Sequence, residues 1–519
     1  MKNMNATKKG AFNILYGILG QIVLVAFTFV TPILVIENYG SETNGLLRSA
    51  EQVFVYLSLF EAGVGYATLQ ALYRPVAEKD QDSINAIMAA TGIFYRRTGI
   101  IYTVCATAFA FLYPLLVPTG LPFFLAVGVV LFSGLGGSLH YFYQGKYILL
   151  MQAEGYSYVT TKINILVNVL LNSVKIILLL NGCNVLIVQL SFFLFQVFRM
   201  VCYRIYVQRR YPHIDFSVKP DFKAISQKNA VFVHQVAYLI FNSTDILLLT
   251  FLTQDLKIVS VYTLYSSITS TLVTLLQAMS GGFDFKLGQM YAVDRKQYDR
   301  LYHVFEIFHL VMVFATMSTL YVVLLPFMTV YTKNVTDINY INTWYPLLFT
   351  MVPLLTHGRT ATNSGITFAG HFEQTKWYAV IESAINLTVS IAGILLLGMP
   401  GVLLGTIVAS VYRTINLIWY YYKYISPDSA WRTIKRWIAC GCIFTGVVIV
   451  NFFYPLHLTN YLTIVLAAAG FGILFLTLYG GTQLWLNPEE RGLVMEIIVR
   501  PAFSRIRNLA GSVRGKKEE

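Results

Sequence analysis

Five cations lie inside or at the rim of long apolar runs of this chain: Arg48, Lys175, Arg199, Arg359 and Arg413. Two carboxylates, Glu61 and Asp245, do the same. Carrying an ionisable side chain into hydrocarbon costs at least about 2.5–3.5 kcal/mol, so such a group faces a cavity or a partner. A guanidinium binds phosphate or carboxylate oxygens in pairs through its planar fork. A buried carboxylate with no cation beside it tends to take up a proton. The chemistries on offer are therefore anion binding, ion pairing between helices, and H+ or Na+ coupling at Glu61 and Asp245. Arg413 is the hardest to explain by snorkelling, because it stands about 11 residues into its run at about 1.5 Å per residue. Lys175 and Arg48 lie near run ends and can snorkel to the surface. Glu51 follows Arg48 by three residues, the spacing of a helical ion pair. No catalytic constellation is legible. There is no GxxxxGK[ST] phosphate loop, no nucleophile elbow and no metal-ligand cluster. The five cysteines, Cys105, Cys183, Cys202, Cys440 and Cys442, follow neither a metal nor a disulfide spacing.

The elements that must hold these residues are membrane helices. The chain has 519 residues, of which 56% are apolar and only 12% charged, with a mean hydropathy of +0.60. A soluble domain is about 25% charged. Runs of about 18–25 apolar residues have the length that crosses a bilayer. They predict an all-α polytopic membrane protein of about fourteen spans, over 12–35, 46–72, 98–117, 122–143, 157–180, 184–206, 229–252, 258–281, 310–332, 343–366, 377–397, 401–422, 433–454 and 459–486. Soluble, disulfide-scaffold and disordered classes are excluded. With the N-terminus inside, 28 of the 38 Lys and Arg fall on cytoplasmic segments, and only Arg48, Lys257 and Lys333 on external ones. That bias predicts a topology with both termini cytoplasmic. It also accounts for most of the net charge of +13 without a nucleic-acid partner. No removable signal peptide is expected, since MKNMNATKKG leads straight into a full-length span. Arg96, Arg97, Glu306, His309 and Lys162 read as markers of cytoplasmic span boundaries, and WYYYKY (419–424) as an interfacial belt.

An internal repeat sets the architecture. Thr31-Pro-Ile-Leu corresponds to Thr244-Asp-Ile-Leu, the helix start at Asp80 to that at Asp294, and Ile177-Leu-Leu-Leu to Ile394-Leu-Leu-Leu. The offset is about 215 residues, or six spans. An even number of spans gives two copies of like orientation, related by an axis along the membrane normal, with a site between them. The expected layout is an N-lobe at 1–210 (spans 1–6), a basic cytoplasmic linker at 211–228 and a C-lobe at 229–425 (spans 7–12). Two extra helices at 426–487 and a basic cytoplasmic tail at 488–519 follow. Two six-helix lobes around a central cavity form a transporter plan. External connections of about 3–10 residues leave no room for the catalytic domain of a membrane glycosyltransferase or polymerase.

The segment FEAGVGYATLQALYRP (60–75) with the turn AEKDQDSIN (77–85), and LLMQAEGYSYVTTKINILVNVLLN (149–172), resemble the multidrug/oligosaccharidyl-lipid/polysaccharide (MOP) superfamily. The chain is most similar to its polysaccharide-transporter branch, the Wzx-type flippases. The resemblance implies a fourteen-helix, two-lobed transporter that moves undecaprenyl-diphosphate-linked oligosaccharide from the inner to the outer leaflet by alternating access. It implies that Arg413, Arg359, Arg199, Lys175 and Arg48 hold the diphosphate, and that Asn13, Gln21, Tyr262, Tyr265 and Gln277 line the cavity. Its partners would be the lipid-linked oligosaccharide, membrane lipids, and a polysaccharide polymerase or glycosyltransferases, with no cofactor and no metal beyond a coupling H+ or Na+. A multidrug cation antiporter of the same superfamily is the rival reading, opposed by five deep cations against two deep carboxylates. The lipid II flippase branch is disfavoured by a first span without Arg or Lys, and teichoic-acid precursor export stays open.

Overall fold

The computed structural model describes residues 6–61, 64–225, 236, 239–241 and 243–499. Among these the regular structure is helical throughout. In chain order the helices are α1 (Ala6–Leu57), α2 (Val64–Glu78), α3 (Gln81–Leu116), α4 (Phe123–Leu139), α5 (Gly145–Ala153), α6 (Ser157–Leu180) and α7 (Val185–Arg210). They continue as α8 (Ser243–Thr253), α9 (Leu256–Val293), α10 (Arg295–Tyr331), α11 (Tyr345–Gly358), α12 (Thr360–Phe368) and α13 (Phe372–Leu397). The last are α14 (Met399–Tyr424), α15 (Trp431–Phe453), α16 (Tyr461–Leu486) and α17 (Pro488–Val494). Eleven helices of the described chain are long and apolar enough to cross a membrane. Their outward residues are large and apolar, with Leu396 82% and Ile473 67% exposed, a face that only lipid covers comfortably. The protein is a multi-pass membrane protein.

Eleven long apolar helices and fourteen apolar runs differ for three local reasons. The first run and the start of the second share α1, where residues 36–45 form a kinked helix instead of the expected loop, and the second run breaks after Leu57 and continues into α2. The bend is at Gly40, whose φ of 84° and ψ of 164° belong to a region that glycine alone enters cheaply. The tenth run is broken at Arg359 into α11 and α12. Of the seventh, only the short α8 and a few residues before it are described.

The chain forms two compact units. One comprises Met1–Ser267, Asn334–Asn339 and Ile394–Val402, and the other Ile268–Lys333, Tyr340–Gly393 and Leu403–Glu519. In the first unit the kink of α1 is capped from far away in sequence. Asp337 Oδ2 accepts from the Ser41 N–H and Oδ1 from the Ser41 hydroxyl, each at 2.7 Å. Lys257 Nζ donates to the Asp337 carbonyl at 3.3 Å. Three connections that the charge bias places on one face, at 36–45, 253–257 and 333–342, thus meet. The linker segment 211–225 lies on the same unit, with Asp221 N donating to Ala86 O at 3.1 Å. There Tyr211 donates to Glu154 at 2.8 Å, and burial, with the Glu154 charge in the same sense, pushes its hydroxyl well up. In the second unit α10 packs against α11, α15 and α16 and is 72% buried over its most apolar window, against 11% for α16. It is the axis of that unit.

The proposed repeat has local counterparts. Asp80 and Asp294 each cap a long helix, accepting from Ser83 N at 3.1 Å and Gln297 N at 3.0 Å, which satisfies an amide that has no helical partner. The helices that begin there run 36 and 37 residues, so amphipathic start and apolar span are one rod in each copy. The turns after α6 and α13 pass through left-handed glycines, Gly182 (φ 64°) and Gly398 (φ 66°).

Candidate functional site

The first unit holds a cavity of about 270 Å³ lined by both polar and apolar side chains. Arg48 and Glu51 enter it from α1, Asn168, Asn172 and Lys175 from α6, and Phe192 from α7. These positions follow from helix periodicity: 168, 172 and 175 are four and three residues apart and share one face of α6. Arg48 Nη1 lies 3.0 Å from Glu51 Oε2, the pair that the spacing predicts. The Lys175 ammonium lies 5.8 Å from the Phe192 ring centroid. Asn172 accepts from the Thr31 hydroxyl at 3.3 Å, and Asn168 accepts from Arg199 Nη2 at 2.8 Å. The buried Arg199 Nε has no hydrogen-bond partner among the described residues. Three of the five predicted cations are therefore gathered in this unit. Arg48 and Lys175 line the cavity and Arg199 is one hydrogen bond behind it. Glu51 neutralises one charge, and the remainder suits an anion.

The other two cations form a different structure in the second unit. Arg359, at the break between α11 and α12, donates to Glu382 Oε1 at 2.6 Å and to the Ser410 carbonyl at 3.4 Å. Arg413 Nε lies 3.5 Å from Glu382 Oε2. Glu382 and Arg413 are only 6% and 8% exposed. One carboxylate thus bridges two guanidiniums, which leaves a net charge of +1 when all three are ionised. Glu382 is a third deep carboxylate that the sequence reading overlooked. It stands alone in the apolar run of α13, and that isolation was the available signal. The balance of five cations to two carboxylates, used against the cation-antiporter rival, narrows accordingly.

Glu61 stands at the turn between α1 and α2, where its carboxylate accepts from the Tyr95 hydroxyl. His140 Nε2 lies 3.8 Å from the other carboxylate oxygen. Asp245 accepts from the Tyr262 hydroxyl at 2.8 Å, and both are buried. Tyr265 is also buried, whereas Gln21 and Gln277 are exposed, and the Asn13 side chain lies outside the described residues.

Glu306, read from the sequence as a marker of a span boundary, is enclosed by protein. It is 2% exposed and pairs with Arg436, which is wholly buried and also donates to Glu490 at 2.7 Å and Asn487 at 2.9 Å. His303 joins them, accepting from Arg436 on Nδ1 at 3.0 Å and donating through Nε2 to Asp428 at 2.8 Å. A guanidinium only donates, so Nδ1 carries the lone pair. His309 is likewise interior, bonded to the Ser280 hydroxyl at 2.8 Å and the His357 carbonyl at 2.9 Å. Runs written TIKRW and VFEIFH look like surface edges because each mixes charge with apolar residues. Only the partner helix reveals that the charges face inward.

No family model and no curated protein sequence matches this chain. Solved structures do. One is an inward-facing multidrug resistance MATE-family transporter of the MOP superfamily, with a TM-score of 0.63 and 15% identity over 77% of this chain and 94% of that one. The lipid II flippase MurJ, in an inward closed conformation, gives a TM-score of 0.67 and 13% identity over 90% and 98%. A MATE transporter of Vibrio cholerae gives 0.52 and 14% over 82% and 98%. At these identities the likeness establishes the fold, which is that of MOP-superfamily transporters.

Proposed function

We propose that the chain is a transporter, not an enzyme, and that it flips an undecaprenyl-diphosphate-linked oligosaccharide across the bacterial inner membrane by alternating access. The observation that carries this reading is the cavity of the first unit. Arg48 and Lys175, with one carboxylate, Glu51, and the amides of Asn168 and Asn172, make a polar, net-cationic pocket. Cations compensate a diphosphate, and carboxamides both donate to and accept from sugar hydroxyls. The fold likeness to MATE transporters and to a lipid flippase supports a moving two-lobed carrier. Under the positive-inside assignment the pocket lies in the outer half of the membrane and both termini are cytoplasmic.

Arg359 and Arg413 have a different part in this reading. Each is already paired to Glu382, so they fix α11, α13 and α14 together and leave only one uncompensated charge for substrate. Lipid II and teichoic-acid precursors carry the same kind of anionic headgroup and remain within the proposal. The multidrug cation antiporter is favoured by a separate observation, the part-exposed carboxylate of Glu61 among aromatic rings.

The test is translocation of a fluorescent undecaprenyl-diphosphate oligosaccharide in proteoliposomes. Wild type should flip it, and Lys175→Ala and Arg48→Ala should each reduce the rate at least tenfold, the loss of about 1.4 kcal/mol of anion binding. Absence of lipid flipping together with efflux of small organic cations overturns the reading in favour of the antiporter.

A further inference from the structure

The second unit holds a cavity of about 510 Å³ that the transport reading does not use. It lies between the start of α10, the connection from α14 to α15, and α17. Asp299, Arg300 and His303 follow Lys296 by three, four and seven residues, so one face of α10 lines it with charges of both signs. Across from that face many of the charges neutralise one another. Arg432 lies 2.8 Å from Glu489 and 3.7 Å from Asp428, and Asp428 also accepts from His303. Three groups on α10 stay available. The exposed side chains of Lys296 and Arg300 have no partner among the described residues. The one ion pair of Asp299 among those residues is with Arg295 at 3.7 Å, and that guanidinium also donates to the Ile425 carbonyl at 2.6 Å. Asp299 Oδ1 makes no hydrogen bond among the described residues.

The cavity sits at the depth of lipid headgroups. Trp431, next to Arg432, is 61% exposed at the start of α15, and Trp485, four residues before Glu489, is 79% exposed at the end of α16. Exposed tryptophans at the ends of apolar spans mark the membrane interface, and the positive-inside assignment makes this the inner one. Polar pockets between helices at that level are where lipid headgroups dock. The charges then select the headgroup. Two free cations repel an organic cation or a polyamine. A headgroup with negative charge alone leaves Asp299 facing like charge. A ligand with one charge of each sign on a short bridge satisfies both.

We infer that this cavity binds the phosphoethanolamine headgroup of an inner-leaflet phospholipid, with the phosphate on Lys296 and Arg300 and the ammonium on Asp299. Phosphate oxygens accept from an ammonium and a guanidinium, and a primary ammonium has three N–H groups to donate to a carboxylate. Choline has no N–H and is held by aromatic faces instead. No Phe, Tyr or Trp lines this cavity, so the ethanolamine form is preferred over the choline form. Because Arg432 of α15 and Glu489 of α17 stand on the opposite walls, the bound headgroup joins the extra helices to the axis of their unit.

Native mass spectrometry of the purified full chain in detergent, titrated with short-chain phosphatidylethanolamine, counts bound lipids directly. Wild type should bind one such lipid about tenfold more tightly than phosphatidylcholine or phosphatidylglycerol of the same chains, the worth of one hydrogen bond to a charged group. Asp299→Asn should lower the ethanolamine lipid to the level of the choline lipid and leave the latter unchanged. Lys296→Gln together with Arg300→Gln should weaken both zwitterionic lipids about tenfold. The two variants are independent, so loss of fold in one, seen in its melting curve, leaves the other to decide. No saturable binding by wild type, equal binding of the ethanolamine and choline lipids, tighter binding of phosphatidylglycerol, or affinities unchanged in both variants overturns the inference. Free phosphoethanolamine binding as tightly as the lipid overturns the membrane source and assigns the cavity to a soluble ligand. None of these outcomes depends on what the carrier moves.

Discussion

Replacing Glu382 by Gln tests the triad with a near-isosteric change. In the folded protein Glu382 is 6% exposed and holds Arg359 at 2.6 Å and Arg413 at 3.5 Å. At an effective dielectric of about 20, each contact at 2.6–3.5 Å is worth about 5–6 kcal/mol of Coulomb attraction. Desolvation of the three groups offsets most of that. Deleting the carboxylate charge leaves the desolvation in place and adds repulsion between two guanidiniums. Removing one partner of a buried pair costs about 3–5 kcal/mol, and that is the expected loss for Glu382→Gln. Thermal unfolding of the purified protein, followed by tryptophan fluorescence, measures it. The triple change Arg359→Met, Glu382→Leu and Arg413→Met should restore most of the stability, since apolar replacements of buried ion networks are often neutral or better. Its transport then separates packing from function, because a stable but inactive triple variant assigns the residual cation to substrate. An unchanged midpoint in Glu382→Gln would refute the reasoning, because the carboxylate would then not be compensating either arginine.

Three further outcomes follow from single contacts. Arg436→Met strips the one guanidinium bonded to Glu306 among the described residues and should cost about 3–5 kcal/mol, largely recovered by adding Glu306→Gln, as a double-mutant cycle on unfolding would report. Gly45→Ala should impair folding yield, read as the monodisperse fraction after solubilisation. Its Cβ would lie 2.6 Å from the Leu256 carbonyl carbon, and overpacking costs about 1–3 kcal/mol or more. Asp337→Ala should cost about 0.5–2 kcal/mol, the worth of a helix cap, and should speed hydrogen exchange at the Ser41 amide first.

Much of the architecture was legible because a bilayer imposes a length on helices. The bounds of α6, α7, α15 and α16 lie within a few residues of the apolar runs that predicted them. What was not legible depended on partners. The kink at Gly40 could not be told from a loop, because hydropathy dips at Asn38–Asn44 whichever way the backbone turns. Arg359 was visible as a deep cation, but its place at a helix break was not. Glu306 was read only as a span-boundary marker because it sits at the end of an apolar run, and the packing of α15 on α10 encloses it with Arg436. Charge neutralisation is a property of pairs. Glu382 on α13 and Arg413 on α14 are separated by a turn and most of a helix, so neither announces the other in the sequence.

The cap on the kink of α1 also bears on the order in which the molecule is made. Asp337 is 296 residues downstream of Ser41. At about 5–20 residues per second, a ribosome needs about 15–60 s to reach it. Throughout that time the first helical rod has entered the membrane with its bend provisional and the Ser41 amide satisfied by water. The rod's final angle is set only after α10 has been threaded and the segment 334–339 has emerged. Nascent chains stalled before that point should display a looser first rod than released ones. A lesion in this short connection would then act as a defect of biogenesis, lowering the amount of protein delivered while leaving the finished molecules competent.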